Sequence, residues 1–120
     1  MRGLMLLTAV VPLMLVGCQQ ATTPVTPLTQ ASQAHQIASL IAGTRYLKNQ
    51  CAYPGLPADG QIELAAYKAA DRRGWQLTSG VAERSEQLYQ QLLHDATPQA
   101  IQCQEFRQLL QPFITTLPKA

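Results

Sequence analysis

The chain has 120 residues, a formal net charge of +2 at pH 7 and only 13% charged residues. One of the basic residues, Arg2, lies at the extreme N-terminus, so the remainder is almost neutral, which argues against nucleic acid as a partner. The length suits one small domain with a modest core, and a covalent cross-link would stabilise such a domain.

The N-terminal segment, residues 1–17, has the features of a secretory signal peptide. Arg2 supplies a short positive region, and residues 4–16 form an apolar stretch, shorter than the about 20 residues that a spanning helix needs. The stretch ends in Leu15-Val16-Gly17-Cys18, which resembles the bacterial lipobox. We expect cleavage before Cys18 and acylation of its thiol, so that acyl chains hold the protein on a membrane. The alternative is an ordinary signal peptide with an incidental cysteine.

Residues 18–30 are expected to form a flexible tether, because they are rich in Gln, Thr, Pro and Ala, a composition typical of linkers. In the bacterial lipoproteins that this pattern resembles, an Asp after the acylated cysteine favours retention in the inner membrane. Gln19 stands there instead. We therefore expect an outer-membrane lipoprotein whose folded domain, residues 31–120, faces the periplasm.

The first half of this domain predicts two helices. The first runs over residues 31–50, where apolar side chains recur at helical spacing. Residues 53–60 contain two prolines and two glycines and predict a break. The second helix runs over residues 61–73 with small residues on its inner face. Gly74 is placed to end it, and Trp75 is expected to pack back over its end.

The second half predicts two more helices. Thr78 or Ser79 is expected to cap the third, which reaches about His94. Thr97 is expected to cap the fourth, with Pro98 at the first helical position, where proline is tolerated.

The fourth helix carries more apolar surface than its own core needs. Its apolar side chains cover a wider arc of the helical wheel than the roughly 100° typical of one buried face. Pro112 is expected to kink this helix or to end it near Leu110. The surplus apolar surface favours a role in binding another molecule.

Cys51 and Cys103 remain as a pair once Cys18 is acylated, and an oxidising compartment favours a disulfide between them. Two free thiols or half of a metal site are the alternatives, although no nearby His or Cys completes a zinc set. In an up-down bundle, the end of helix one and the start of helix four lie at the same pole. The predicted fold is therefore an all-α, four-helix up-down bundle with one disulfide.

The sequence offers no motif for catalysis, for a metal or for a cofactor. His35 and His94 have no obvious partners, and Glu83 and Glu86 flank Arg84 as a solvated face. We expect a protein that is not an enzyme, has no small-molecule substrate and acts through its surfaces. An active site assembled from distant residues is the alternative.

Four segments carry a resemblance to a known family. They are Leu-Val-Gly-Cys at 15–18, Ala-Gly-Thr-Arg-Tyr-Leu-Lys-Asn-Gln-Cys at 42–51, Asp-Arg-Arg-Gly-Trp at 71–75 and Leu-Tyr-Gln-Gln-Leu-Leu-His-Asp-Ala-Thr-Pro at 88–98. With Cys103 downstream, the chain resembles the PulS/OutS family of type II secretion pilotins (GspS-type). The resemblance implies a lipoprotein that binds the C-terminal segment of the secretin as a helix in a hydrophobic groove. The pilotin then protects that segment and carries the secretin to the outer membrane for assembly.

The resemblance also assigns residues. The family's acylated cysteine corresponds to Cys18, and its cysteine pair corresponds to Cys51 and Cys103. The groove residues are not carried over from the family and rest on the surplus apolar surface of the fourth helix. Helices one and four are expected to border the groove, with plain core packing as the alternative for each residue. The candidate lining residues are Leu40, Thr44, Leu47, Phe106, Leu110, Phe113 and Ile114.

Two other functions are weighed against this one. The first is a different outer-membrane assembly or entry-exclusion lipoprotein that also acts by protein–protein interaction. The second is a periplasmic enzyme or inhibitor, which would need a pocket lined by perturbed titratable groups.

Overall fold

The computed structural model describes residues 26–77 and 79–119, and this part of the chain forms helices and no strand. The predicted signal peptide, Cys18 and the tether up to residue 25 lie outside the described residues. None of the described helices has the length and apolar character needed to cross a membrane. The elements are α1 (Pro27–Asn49), α2 (Asp59–Arg72), α3 (Val81–Leu93), α4 (Gln99–Leu109) and α5 (Gln111–Ile114).

Helix α1 begins four residues before the predicted start at Ala31. Thr26 is its N-cap, and the Thr26 hydroxyl accepts a hydrogen bond from the Thr29 amide at 3.1 Å. Pro27 occupies the first helical position, where its missing N–H costs nothing. Residues 27–30, which composition assigned to the tether, are therefore helical.

Helix α1 is the centre of the fold, because α2, α3 and α4 each pack against it. The larger core cluster joins α1, α2, the start of α3 and α5, and alanines on α1 and α2 allow the backbones of these two helices to approach closely. A second cluster joins α1 to α3 and α4 through Ala42, Tyr46, Tyr89 and Cys103. The buried members of the larger cluster are Ala34, Ile37, Ala38, Ile41, Ile62, Ala66, Ala70, Val81 and Phe113.

Arg45 of α1 forms ion pairs with both α2 and α3. Its guanidinium donates to the Glu86 carboxylate of α3 at 2.6 Å and lies 3.4 Å from the Asp59 carboxylate of α2. The same group stacks 4.3 Å from the centre of the Tyr89 ring. The hydrogen bond from Arg45 lowers the pKa of Glu86. Arg45 therefore fixes the positions of α2 and α3 on the C-terminal half of α1.

The end of α2 follows the sequence prediction. Gly74 adopts a left-handed conformation with φ +71°, as is common just after a helix. The Trp75 amide donates back to the Ala70 carbonyl at 3.0 Å. The guanidinium of Arg73 lies 5.0 Å from the centre of the Trp75 ring, so the indole covers the end of the helix.

The two predicted N-caps of the later helices are wrong. Helix α3 is preceded by Gly80, whose φ of +100° suits glycine, and not by Ser79; Thr78 lies outside the described residues. Helix α4 has Pro98 as its N-cap. Thr97 instead donates its amide to the Asp95 carboxylate at 2.8 Å, which makes an Asx turn in the connection.

The predicted interruption near Leu110 is present. Helix α4 ends at Leu109, Leu110 departs from regular helix with φ −94° and ψ −2°, and α5 resumes with Pro112 in its first turn. A proline removes a backbone donor and crowds the preceding turn, so the long helix divides there.

The disulfide joins Cys51, just beyond α1, to Cys103 in α4, with an S–S distance of 2.06 Å. The predicted pairing is confirmed, and it places the end of α1 beside the start of α4, as an up-down bundle requires.

Candidate functional site

An apolar groove of about 850 Å³ follows α1 between α3 and the α4–α5 segment. Its floor is the face of α1 that carries Leu40 and Gly43. Leu88 and Leu92 of α3 form one wall. The opposite wall consists of Phe106, Leu109, Leu110 and Phe113. A groove walled by helices and lined by aliphatic and aromatic side chains suits an amphipathic helix.

Gly43 determines how closely the wall approaches the floor. A Cβ atom at Gly43 would lie 3.0 Å from Cδ1 of Leu110, which is too close for an ordinary contact. Glycine at this position therefore lets Leu110 rest on the backbone of α1. Because Leu110 is buried, with 8% exposure, this contact joins the groove to the core beneath it.

Leu109 forms the exposed rim of the groove. Leu109 lines the groove, and 73% of its surface is exposed to solvent, whereas its neighbour Leu110 is buried. Exposing a large aliphatic side chain to water is unfavourable. Leu109 at the edge of an apolar groove indicates a surface that another molecule covers.

Charged groups lie at the ends of the groove. Arg72 and Arg73, at the end of α2, line it together with Trp75. Asp95, just beyond α3, also lines it. The hydrogen bond that Asp95 accepts from Thr97 lowers the pKa of the Asp95 carboxyl, so this group is ionised at neutral pH.

Four of the seven predicted groove residues line the groove: Leu40, Phe106, Leu110 and Phe113. The other three lie elsewhere. Thr44 and Leu47 have 0% exposure, and the Thr44 hydroxyl donates to the Leu40 carbonyl at 2.7 Å. Ile114 packs against the core cluster formed around Leu47. These three residues contribute to core packing and do not line the groove.

The sequence prediction missed one whole wall and both ends of the groove. Leu88 and Leu92 stand four residues apart on α3, a spacing that places both side chains on one face of a helix and could have indicated this wall. Arg72 and Arg73 stand next to each other in the sequence and had no part in the groove prediction. No local pattern indicates that the end of α2 reaches a groove between other helices.

No group of three or more His, Cys, Asp or Glu side chains among residues 26–77 and 79–119 is arranged to hold a metal ion. Burial and a hydrogen bond to Glu63 raise the pKa of Tyr67 to about 12, but Tyr67 does not line the groove. Its hydroxyl donates to the Glu63 carboxylate at 2.6 Å within α2.

Comparison with known proteins relates this chain to a family. A family model described as a type II secretion system pilotin lipoprotein (PulS_OutS) matches residues 15–115. The pullulanase secretion protein PulS of Klebsiella pneumoniae is 42% identical over 121 aligned positions, which cover 98% of this chain and 97% of PulS.

Two solved structures share the fold. One is the Klebsiella pneumoniae type II secretion system outer membrane complex of PulD, PulS and the PulC HR domain. The match has 45% identity and a TM-score of 0.71, and it covers 74% of this chain and 98% of the other. The second is a pilotin/secretin peptide complex, with 40% identity, a TM-score of 0.69 and coverage of 71% and 92%.

Proposed function

The chain belongs to the PulS/OutS family of type II secretion system pilotin lipoproteins, and we propose that its groove binds the C-terminal segment of a type II secretin as a helix. The pilotin shields this segment and carries the secretin to the outer membrane, where the secretin assembles. One observation carries the proposal: an apolar groove of about 850 Å³ with an exposed leucine at its rim. A related structure is described as a pilotin/secretin peptide complex.

The groove suits a segment that folds as it binds. Ordering a disordered chain costs conformational entropy, which burial of its apolar side chains must offset. The groove offers Leu40, Phe106 and Phe113 to a partner whose apolar residues recur every three or four positions. A few such anchors carry most of the affinity in an interface of this kind.

Anchoring is the second part of the proposal. Residues 1–17 are removed, Cys18 is acylated, and a short tether leads to α1, so that the domain faces the periplasm. The bound secretin then travels with the lipid anchor to the outer membrane. Metabolic labelling with a fatty acid should mark the wild-type chain and not a Cys18→Ser variant; equal labelling would contradict this assignment.

The role is non-enzymatic and needs no cofactor. The groove lining supports this, because apolar side chains dominate it and its charged groups stand at the ends. Such a surface recognises an apolar helix by shape and burial, whereas catalysis places polar groups around a reacting atom.

The direct test is a titration of residues 19–120 with a peptide from the C-terminus of the matching secretin. We expect a saturable gain in helix by circular dichroism and a negative heat-capacity change by calorimetry, because apolar surface is buried. A peptide of the same composition in scrambled order serves as the control. Absence of binding by the intact peptide would contradict the proposed function.

A further inference from the structure

We propose that the charged ends of the groove fix the direction of the bound helix. Its N-terminus lies at Asp95 and its C-terminus lies at Arg72 and Arg73, antiparallel to α1. The occupant is the secretin segment of the proposed function, on which this inference rests. The direction is a separate property, because an apolar groove alone accepts a helix either way round.

The packing of the helices places the two charged sites at opposite ends of α1. Lys48, near the end of α1, donates to Asp59 at the start of α2 at 3.1 Å, so α2 runs back along α1. Its C-terminal arginines therefore lie toward the N-terminal half of α1, where Ala70 shares a core cluster with Ala34.

Helix α3 runs in the same direction as α1. Arg45 bonds Glu86, and four residues further along α1 the Asn49 amide donates to the Tyr89 hydroxyl at 3.2 Å. The residues that follow α3, including Asp95, therefore lie toward the C-terminal end of α1. The groove between these points has a basic end and an acidic end.

One charged side chain at each end of the groove is held in place, Arg73 at the basic end and Asp95 at the acidic end. The guanidinium of Arg73 lies over the Trp75 ring at 5.0 Å, an arrangement that a cation and an indole favour. The Asp95 carboxylate accepts the Thr97 amide at 2.8 Å. Fixed charges lose less conformational entropy on binding than mobile ones and therefore discriminate better between partner orientations.

The electrostatics of a helix then select one direction. A helix carries partial positive charge at its N-terminus and partial negative charge at its C-terminus. A segment at the end of a chain adds a free carboxylate to the negative side. Asp95 attracts the positive N-terminus of the bound helix, and the two arginines attract its negative C-terminus. The reverse orientation would bring like charges together at both ends of the groove.

The test uses the acylated chain, labelled with ¹⁵N and held in detergent micelles. Secretin C-terminal peptides carry a nitroxide at either the N-terminal or the C-terminal residue. The C-terminal label should broaden the amide signals of Arg73 and Gly74, and the N-terminal label those of Asp95 and Ala96. Binding with the reverse pattern, or with both patterns at once, would overturn the direction and leave the proposed function intact. No binding at all would refute both.

A comparison of free-acid and amidated peptides tests whether the two arginines fix the direction of the bound helix. Amidation of the peptide C-terminus should weaken binding to the wild-type chain about three-fold. The difference should vanish in the double variant Arg72→Gln and Arg73→Gln. It should persist in Lys68→Gln, because Lys68 is exposed on α2 and does not line the groove. Equal affinity of the free-acid and amidated peptides for the wild-type chain would overturn the role of the arginines.

Discussion

Truncating Leu109 isolates the contribution of the groove rim to binding. Burying a leucine completely is worth about 1.5–3 kcal/mol, and 73% of Leu109 is exposed in the free chain. Covering the side chain with a bound helix should therefore contribute about 1–2 kcal/mol. We expect Leu109→Ala to weaken the binding of the secretin peptide about 5- to 30-fold.

The same variant should fold almost normally. Because Leu109 contributes little buried surface to the free chain, its truncation should change the free energy of unfolding by less than about 0.5 kcal/mol. Leu64→Ala is the matched control, since Leu64 is 52% exposed on α2 and does not line the groove. Calorimetric titration measures affinity and thermal denaturation measures stability. If both variants bind like the wild-type chain, or lose affinity equally, the assignment of the rim is refuted.

Three further predictions concern the scaffold. Reducing the disulfide, which links residues 52 apart, should lower the free energy of unfolding by about 4 kcal/mol in the chain-entropy model; an unchanged melting temperature would contradict this. Because Arg45 lowers the pKa of Glu86 from 4.5, their pairing stabilises the fold above that pH and is lost as the pH falls below it. The melting temperature should drop less on acidification in Glu86→Gln, and equal slopes would refute the role of the pair. Gly43→Ala should push Leu110 into the groove and weaken peptide binding with unchanged helix content, whereas wild-type affinity would show that the wall accommodates the methyl group.

Local backbone signals made most of the fold predictable. Gly74 ends α2 and Pro112 interrupts the last helix because glycine and proline restrict the backbone wherever they stand. The cysteine pair was predictable from the compartment and the topology, and neither argument depends on details of packing. Such features need no knowledge of the neighbouring helices.

The start of α1 shows how one pattern can have two meanings. Thr26 followed by Pro27 is a helix N-terminus signal, yet threonine and proline are also typical of linkers. The surrounding composition favoured the linker, and the helix was therefore predicted to begin too late. The hydrogen bond from Thr29 to Thr26 decides between the two readings.

Helical periodicity did not predict how deeply each side chain is buried. Leu40, Thr44 and Leu47 share one stripe of α1, but only Leu40 reaches the groove. Thr44 and Leu47 are fully buried, and Leu47 belongs to a core cluster with Leu110. The adjacent Leu109 and Leu110 also differ in burial, because successive residues of a helical turn point in different directions. A helical wheel gives the angle of a side chain, whereas its burial depends on which helix lies above it.

The most direct test of the central claim is a map of amide chemical shifts in the ¹⁵N-labelled chain as the secretin peptide is added. If the groove holds the segment, the largest changes should occur at Leu40, Gly43 and Leu110, which line it from two sides. Changes concentrated on the outer face of α2, around Leu64 and Lys68, would place the partner elsewhere and contradict the account.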